Sequence, residues 1–541
     1  MNKPMGRKFL SGAAVGGLIS IPWLTITSAG GMIAHFPVVP FLFFEWLARS
    51  LPGSIITLGV ETMVNLLVPL RFGQTADLAK ALEVGMAFAL AWVLLTILAG
   101  TSWALLAPVS WRWQVKGSFQ GLLLAISSVL FTLEIRPDLV GVLWMLGISL
   151  AWGYAAAWGS HRMSAAISAE PDQARRIFLG KLAITSVAFS GLALGLSRWF
   201  TATSRVEQAA SRPTQTIPPQ ALPTAPPANA GFQPVAGTRP EITAIADFYR
   251  VDINLLPPGD ASFLEGDDSL TGRLLAQGGE TDLPAASFRL KVEGLVEQPL
   301  SLSLTDLKSY PIVEQYATLA CISNPIGGDL ISTTVFQGAR LKDVLEAASL
   351  LAEARDIKFT CVDGYTESLP VESALDPRTL LCYAMGGQPL TREHGFPLRL
   401  YTPDRFGMKN PKWIIKIEAV AEDYRGFWEQ RGWSEDAWVQ TTAVIDAVQE
   451  SGSRLAEVGG IAFAGARGIQ RVEVRVDEGA WMVAELNRAL SALTWVLWRA
   501  QVEIPPGRHR LTVRATDGSG TVQTEERRPS HPDGATGYHS K

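Results

Sequence analysis

The chain has 541 residues, 48% of them hydrophobic, with 47 Lys+Arg against 51 Asp+Glu and a net charge of -4. A near-neutral, slightly acidic balance offers no basic footprint for nucleic acid, and a chain this long exceeds one hydrophobic core, so several domains are expected. The charge is divided unevenly: residues 1–200 carry 14 Lys+Arg against 8 Asp+Glu, and the remainder 33 against 43.

The first 200 residues read as an all-α membrane bundle. Uncharged stretches run over Phe9–Phe44, Val84–Trp111, Gly117–Leu133, Leu139–His161 and Leu182–Ser197, and a spanning helix needs about 20 apolar residues. About five transmembrane helices are the simplest count. Between the first and second, residues 36–80 are apolar but broken by Glu45, Arg49, Glu61 and prolines, and read as interfacial helices along the membrane surface. Lys3, Arg7 and Lys8, then Arg112 and Lys116, then Arg162, Arg175, Arg176 and Lys181 all fall on the cytoplasmic side if the N-terminus is inside. Everything after Phe200 is then extracytoplasmic, on a multi-pass protein of the cell (inner) membrane. Ionisable residues within the spans are nearly absent, and His35 and His161 sit at span ends, so the bundle reads as an anchor in the lipid bilayer.

"ARRIFLGKLA", Ala174 to Ala183, resembles a twin-arginine export signal placed internally. That pathway moves folded proteins, which implies a domain loaded with a cofactor before it crosses. Residues 201–240 contain eight prolines among Ala, Thr and Gln and form a Pro-rich linker, stiff and extended.

From Glu241 onward short strand-like runs alternate with turns. "SFRLKVEGLV", "DIKFTCVDG" and "FPLRLYTP" read as strands and "LKDVLEAASLLAEA" as a short helix, which gives an α+β domain over residues 241–440. In 441–541, "IQRVEVRVDEG" and "RHRLTVRATDG" alternate strictly, and no helical period appears except around Ala484–Leu490. This predicts an immunoglobulin-like β-sandwich.

Three cysteines, Cys321, Cys361 and Cys382, lie in this region without a Cys-x-x-Cys pair, which disfavours zinc. Cys361 falls within a strand and Cys382 in an apolar run, as buried small hydrophobes do. Cys321 ends a run and precedes Asn, Pro and two glycines, where backbone can approach a ligand. A nucleophile, a metal ligand and a core residue all fit it. Downstream, Glu393–Val420 gathers His394, Arg399, Arg405, Lys409 and Lys412 around a Gly-Met turn, a pattern suited to an anion cradle or to a solvated basic edge.

"TLACISN", "GGDLISTTVFQGARLKDVL", "DGYTESLP", "PLTREHGFPLRLYTP", "GMKNPKWI" and "EDYRGFWEQRGWS" occur in an order that resembles the sulfite oxidase fold family of molybdopterin enzymes, from about Ile242 to the C-terminus. The closing "GRHRLTVRATDGSG" and "PDGATGYH" resemble that family's C-terminal sandwich. The resemblance implies a molybdenum and molybdopterin oxidoreductase. It makes Cys321 the metal ligand and Tyr424 the tyrosine near the metal. It makes Phe248, Tyr249, Asp363, His394, Arg399, Lys409 and Lys412 cofactor contacts. It also implies oxygen-atom transfer to or from a small substrate, a separate electron carrier (quinone pool or cytochrome-like), and a homodimer paired through the sandwich.

Sulfite-oxidising members follow the cysteine with arginines, whereas here the stretch is "NPIGGDL", and Arg250 is the cation available to compensate. Reduction of S-oxides or N-oxides fits an uncharged rim as well as sulfite oxidation does. Two other classes are a cofactor-free surface binding module on the same fold and a cysteine hydrolase pairing Cys321 with His394.

Overall fold

The computed structural model describes residues 3–34, 38–53, 55, 58–59, 62–63, 75–135, 139–166, 173, 175–193, 231–253, 288–450 and 454–541. The N-terminal region is helical, with α1 (Lys3–Ala34), α2 (Val39–Ser50), α3 (Thr75–Leu106), α4 (Trp113–Ile135), α5 (Leu139–Ala166) and α6 (Arg175–Ala193). Among the described residues, four segments are long and apolar enough to cross a membrane: Met5–Gly31, Leu82–Leu106, Leu139–Met163 and Arg175–Ala193. The expected third span, α4, is a 23-residue helix that carries Gln114, Lys116 and Gln120 near its start.

That polarity is handled inside the bundle. Gln120 Nε2 donates to Ser102 Oγ of α3 at 2.7 Å, and Trp152 Nε1 of α5 donates to Ser20 Oγ of α1 at 3.0 Å. Helices in lipid gain no hydrophobic drive from each other and associate through close packing and such bonds. Close packing here uses glycine: a Cβ on Gly153 would lie 2.2 Å from the Gly121 nitrogen, so the α4 and α5 backbones touch. The stretch read as interfacial begins with α2, which packs on α3 and α4.

Among the described residues, ten strands follow the N-terminal helices: β1 (Leu290–Gly294), β2 (Leu300–Leu302), β3 (Val313–Ala320), β4 (Ile331–Arg340), β5 (Asp356–Cys361), β6 (Thr366–Pro370), β7 (Leu380–Met385), β8 (Gln388–Pro389), β9 (Arg399–Tyr401) and β10 (Ile414–Val420). They form two five-stranded sheets, β2-β1-β10-β5-β6 and β3-β4-β7-β8 with β9 on β7. Only the β1/β10 pair is parallel among these. The alternating runs read from sequence became β1, β5 and β9, and the expected short helix is Leu341–Ala347. Phe288, Leu290, Phe359, Ile417 and Trp413 pack in one core. Cys361 and Cys382 are 1% and 0% exposed, with their thiols in apolar packing.

Eight more strands, β11 (Thr442–Glu450), β12 (Leu455–Phe463), β13 (Ile469–Val476), β14 (Met482–Val483), β15 (Glu485–Leu486), β16 (Val496–Glu503), β17 (Leu511–Asp517) and β18 (His539–Ser540), build two four-stranded antiparallel sheets. Their orders are β11-β12-β16-β15 and β14-β13-β17-β18, and they enclose a shared core that includes Val458, Val472, Trp498 and Val513. The helical period around Ala484 is overridden, because Glu485 and Leu486 pair with Arg499 and Trp498.

Two joints fix the site-bearing sheet to the sandwich. Thr318 N donates to the Leu493 carbonyl at 2.9 Å and Trp495 N donates to Thr318 Oγ1 at 2.8 Å, while Ala320, Ile322, Phe406 and Met408 share a core with Ile461, Phe463, Trp495 and Leu497. Of the linker, 201–230 lies outside the described residues. Its last ten residues pack as a strap: Phe232 is buried in that shared core, Arg499 Nη1 donates to the Gln233 carbonyl at 3.1 Å, and Arg239 pairs with Asp446 at 2.7 Å.

Candidate active site

β3 and β4 pair with Ala320 opposite Ile331, so Cys321 is the first residue of the loop that joins them. The loop is held at both ends: Cys321 N donates to the Leu330 carbonyl at 2.9 Å, and Leu330 N donates to Asn324 Oδ1 at 3.1 Å. Gly327 has φ +80° and a Cβ there would lie 2.5 Å from the His539 ring; only glycine suits both the left-handed backbone and the close approach. The Asn-Pro-Ile-Gly-Gly run therefore bends the chain away and leaves the cysteine at a cavity.

That cavity has a volume of about 720 Å³, and Phe248, Tyr249, Cys321, Asp363, His394, Arg399 and Lys412 line it. The sequence expectation named nine residues, and the fold brings these seven together from segments 248–252, 321–323, 363–365 and 394–412. Two do not arrive. Lys409, 2% exposed, points behind the cavity, where its Nζ donates to Glu367 Oε1 at 2.9 Å, to the Ser368 carbonyl at 3.2 Å, and to Glu429. Tyr424 is half-buried outside the cavity lining, with Lys358 Nζ 4.6 Å above its ring and its backbone N–H donating to Asp356 at 3.0 Å. The tyrosine that sequence reasoning missed is Tyr365, which lines the cavity with its hydroxyl 2.7 Å from the Met408 carbonyl and 3.0 Å from Glu367. Its signal was present in "DGYTESLP", two residues after Asp363, whose Oδ1 accepts from Tyr365 N at 3.0 Å.

The electrostatics distinguish the possible roles of Cys321. Burial pushes its thiol up, and hydrogen bonds from Ser323 pull only partly against this, so alone the sulfur keeps its proton. A soft metal ion displaces that proton. Among the described residues, no group of three or more His, Cys, Asp or Glu is placed to hold a metal, so a single protein sulfur suits a metal whose other ligands arrive on a cofactor. His394 is held to about pKa 4 by burial and by Arg399 and Lys412, so its ring is neutral at pH 7. It spends Nε2 on the Ile245 carbonyl, 3.1 Å away, rather than on Cys321, and the nucleophile–base pair of a cysteine hydrolase is not formed.

The cations fit an anionic group. Arg399 is 4% exposed. Its Nη1 donates to the His394 carbonyl at 3.2 Å and its guanidinium lies 5.5 Å from the Phe336 ring, yet its buried Nε has no hydrogen-bond partner. An orphaned charged donor at a cavity wall costs free energy unless an acceptor is supplied from outside the chain. Lys412, its pKa lowered by burial, donates to Asp252 and to the Glu393 carbonyl at 3.1 Å. Thiol, cations and aromatic side chains together match a phosphorylated pterin that carries a thiophilic metal.

The comparisons point to the same cofactor. Residues 278–428 match the oxidoreductase molybdopterin binding domain, and residues 437–530 match the Mo-co oxidoreductase dimerisation domain. The chain is 32% identical over 299 residues to mitochondrial sulfite oxidase of Homo sapiens, an alignment that covers 45% of this chain and 54% of that protein. It thus spans about half the length of that enzyme. It is 37% identical over 146 residues to the uncharacterized oxidoreductase YuiH of Bacillus subtilis, covering 27% of this chain and 72% of that one, and 30% identical over 370 residues to sulfite oxidase of Gallus gallus, covering 58% and 79%. With the cavity, its thiol and its open cation described, the chain belongs to the sulfite-oxidase-fold family of molybdopterin-dependent oxidoreductases.

Proposed function

We propose that this is a membrane-anchored, extracytoplasmic oxo-transferase that works on a small substrate and exchanges electrons with a separate carrier. The observation that carries it is the meeting of Cys321 with a buried arginine whose Nε lacks a partner. Cys321 is the protein's sulfur ligand to molybdenum. Arg399, Lys412 and His394 hold the pterin and its phosphate, with Phe248, Tyr249 and Asp363 closing the pocket. When bound, the molybdenum pterin supplies two-electron oxygen-atom transfer.

The chain's own residues shape access and protons. Tyr249 and Tyr365 present phenols at the cavity, and burial pushes both well above the usual tyrosine range, so each stays a hydrogen-bond donor throughout the physiological range. The loop after Cys321 brings no cation, and Arg250 is already paired with Asp252. A doubly charged anion is costly to desolvate without compensation, so neutral S-oxides or N-oxides suit the rim better than sulfite does.

For the placement, α4 is read as the fifth span. Its 23 residues reach about 34 Å at helical rise, enough for a bilayer core, and its glycine contact with α5 puts the two at one depth. Five spans with Lys3, Arg7 and Lys8 inside leave the catalytic domain outside. Arg175 and Arg176 open α6 as an internal twin-arginine signal, the C-terminal sandwich is of immunoglobulin type, and a homodimer forms through it.

Metal analysis and a dye-linked screen against sulfite, S-oxides and N-oxides test the reading. Cys321→Ser is expected to lower molybdenum content and turnover at least about tenfold with the fold intact. A serine variant that keeps both would sink it.

A further inference from the structure

The cavity has a second end unlike the first. Beyond the polar residues its wall is built by Phe44, Leu51, Ile55 and Leu58, from the stretch between α1 and α3, and by Leu82 and Met86 of α3. Leu82 opens one of the candidate spans, which on the membrane-anchored reading sets this wall at the edge of the bilayer. Ile55, Leu58 and Leu82 are 50%, 65% and 41% exposed, large apolar side chains left uncovered beside a cofactor pocket. Opposite them stand Phe427, Trp428 and Trp433, the two indoles edge to face at 6.2 Å. The halves are clamped together, because a Cβ on Gly53 would lie 2.6 Å from Arg431 Cα, between those tryptophans in sequence.

We propose that this apolar half is the docking site of a membrane-borne quinone or quinol, which exchanges electrons with the cofactor directly. The inference deepens the oxo-transferase reading and rests on it. A recess lined by apolar and aromatic side chains with a few polar groups is of the kind that takes a small organic molecule. A planar ring fits between aliphatic and indole walls, and Thr62 on the membrane-side wall offers a hydroxyl for one of its oxygens. A charged protein carrier docks on a polar outer surface and has no use for an apolar recess, whereas a quinone already resides in the phase that α3 enters on the five-span reading. The balance closes: one sulfoxide and one quinol give one sulfide, one water and one quinone, the quinol losing two electrons and two protons while the S–O bond breaks and its oxygen leaves in the water. In the opposite direction, sulfite, water and quinone give sulfate and quinol.

The test uses full-length, molybdenum-loaded protein in nanodiscs. Leu58→Arg and Met86→Glu are compared with the unaltered chain for turnover driven by decylquinol and by reduced viologen, and an azido-decylquinone is photocrosslinked and mapped by peptide mass spectrometry. The expected result is a fall of at least about tenfold, equivalent to about 1.4 kcal/mol, in the ratio of quinol-driven to viologen-driven rate in both variants, with the label on peptides 51–63 and 427–433. An unchanged ratio with the label elsewhere overturns the proposal. So does a raised KM for apolar S-oxides with an unchanged quinol ratio, which makes the chamber a substrate pocket. Loss of viologen-linked oxo transfer in the unaltered, molybdenum-loaded protein refutes the oxo-transferase reading instead, and the crosslink map still decides whether the ring docks.

Discussion

Lys409 and Lys412 are three residues apart, both buried, and solve the same electrostatic problem in opposite ways. Lys409 is enclosed by Glu367 and Glu429 behind the cavity, a knot in which every partner of the lysine comes from within the chain. Lys412 and Arg399 stand at the cavity wall, one with a single carboxylate partner and the other with an orphaned Nε. Buried charge is tolerated where it is paired and hydrogen-bonded. The knot is therefore a structural element, whereas the wall is complete only with a ligand.

The largest effect separating the two is expected from Lys409→Met. It strands two carboxylates in the interior and destabilises by about 3–5 kcal/mol, read by urea unfolding, while the molybdenum content of the folded fraction is retained. Stable protein stripped of metal would break the comparison. Arg399→Met should do the reverse, lowering bound cofactor by about 10–100-fold with only a minor change in the unfolding midpoint. Tyr365→Phe is expected to slow oxo transfer by about tenfold or more, and Tyr424→Phe to leave it within about twofold, since Tyr424 lies outside the cavity.

The most gradual effects are in pH dependence. Glu429 is raised to about pKa 7 by burial and by Glu367: the folded state holds a proton that the unfolded chain releases near 4.5, so stability declines as pH rises from about 4.5 to 7. His394, held to about 4, does the opposite: the unfolded ring takes a proton below about 6.5 that the folded ring refuses, so stability declines as pH falls from about 6.5 to 4. Each slope is at most about 1.4 kcal/mol per pH unit, and the two oppose each other where they overlap. Glu429→Gln and His394→Gln should each expose the other's slope in unfolding curves taken at several pH values.

The strands were legible because alternation is local. Ile469–Val476 and Leu511–Asp517 show it in sequence and pair with each other in the sandwich. Cys321 was legible as a strand end because Asn-Pro and Gly-Gly follow it. The sorting of Lys409 from Lys412 was not. Gly407–Lys409 forms one 3-10 turn and Asn410 leaves it at φ -121°, ψ 65°, a break that turns successive cations to different faces. Lys409's partners, Glu367 and Glu429, sit 42 and 20 positions away. Tyr365 and Tyr424 were likewise interchangeable by neighbourhood, because each stands near a turn. What separates them is tertiary, since Tyr365 is enclosed among Glu367, Met408 and Phe427.

The strap at residues 231–240 has a mechanical meaning. A pull arriving along the chain from the N-terminal helices meets Phe232, Gln233 and Arg239, whose bonds run to Arg499 and Asp446 of the sandwich. That part of the load is taken up by the paired strands of the C-terminal sheets before it reaches Phe248 and Tyr249 along the chain.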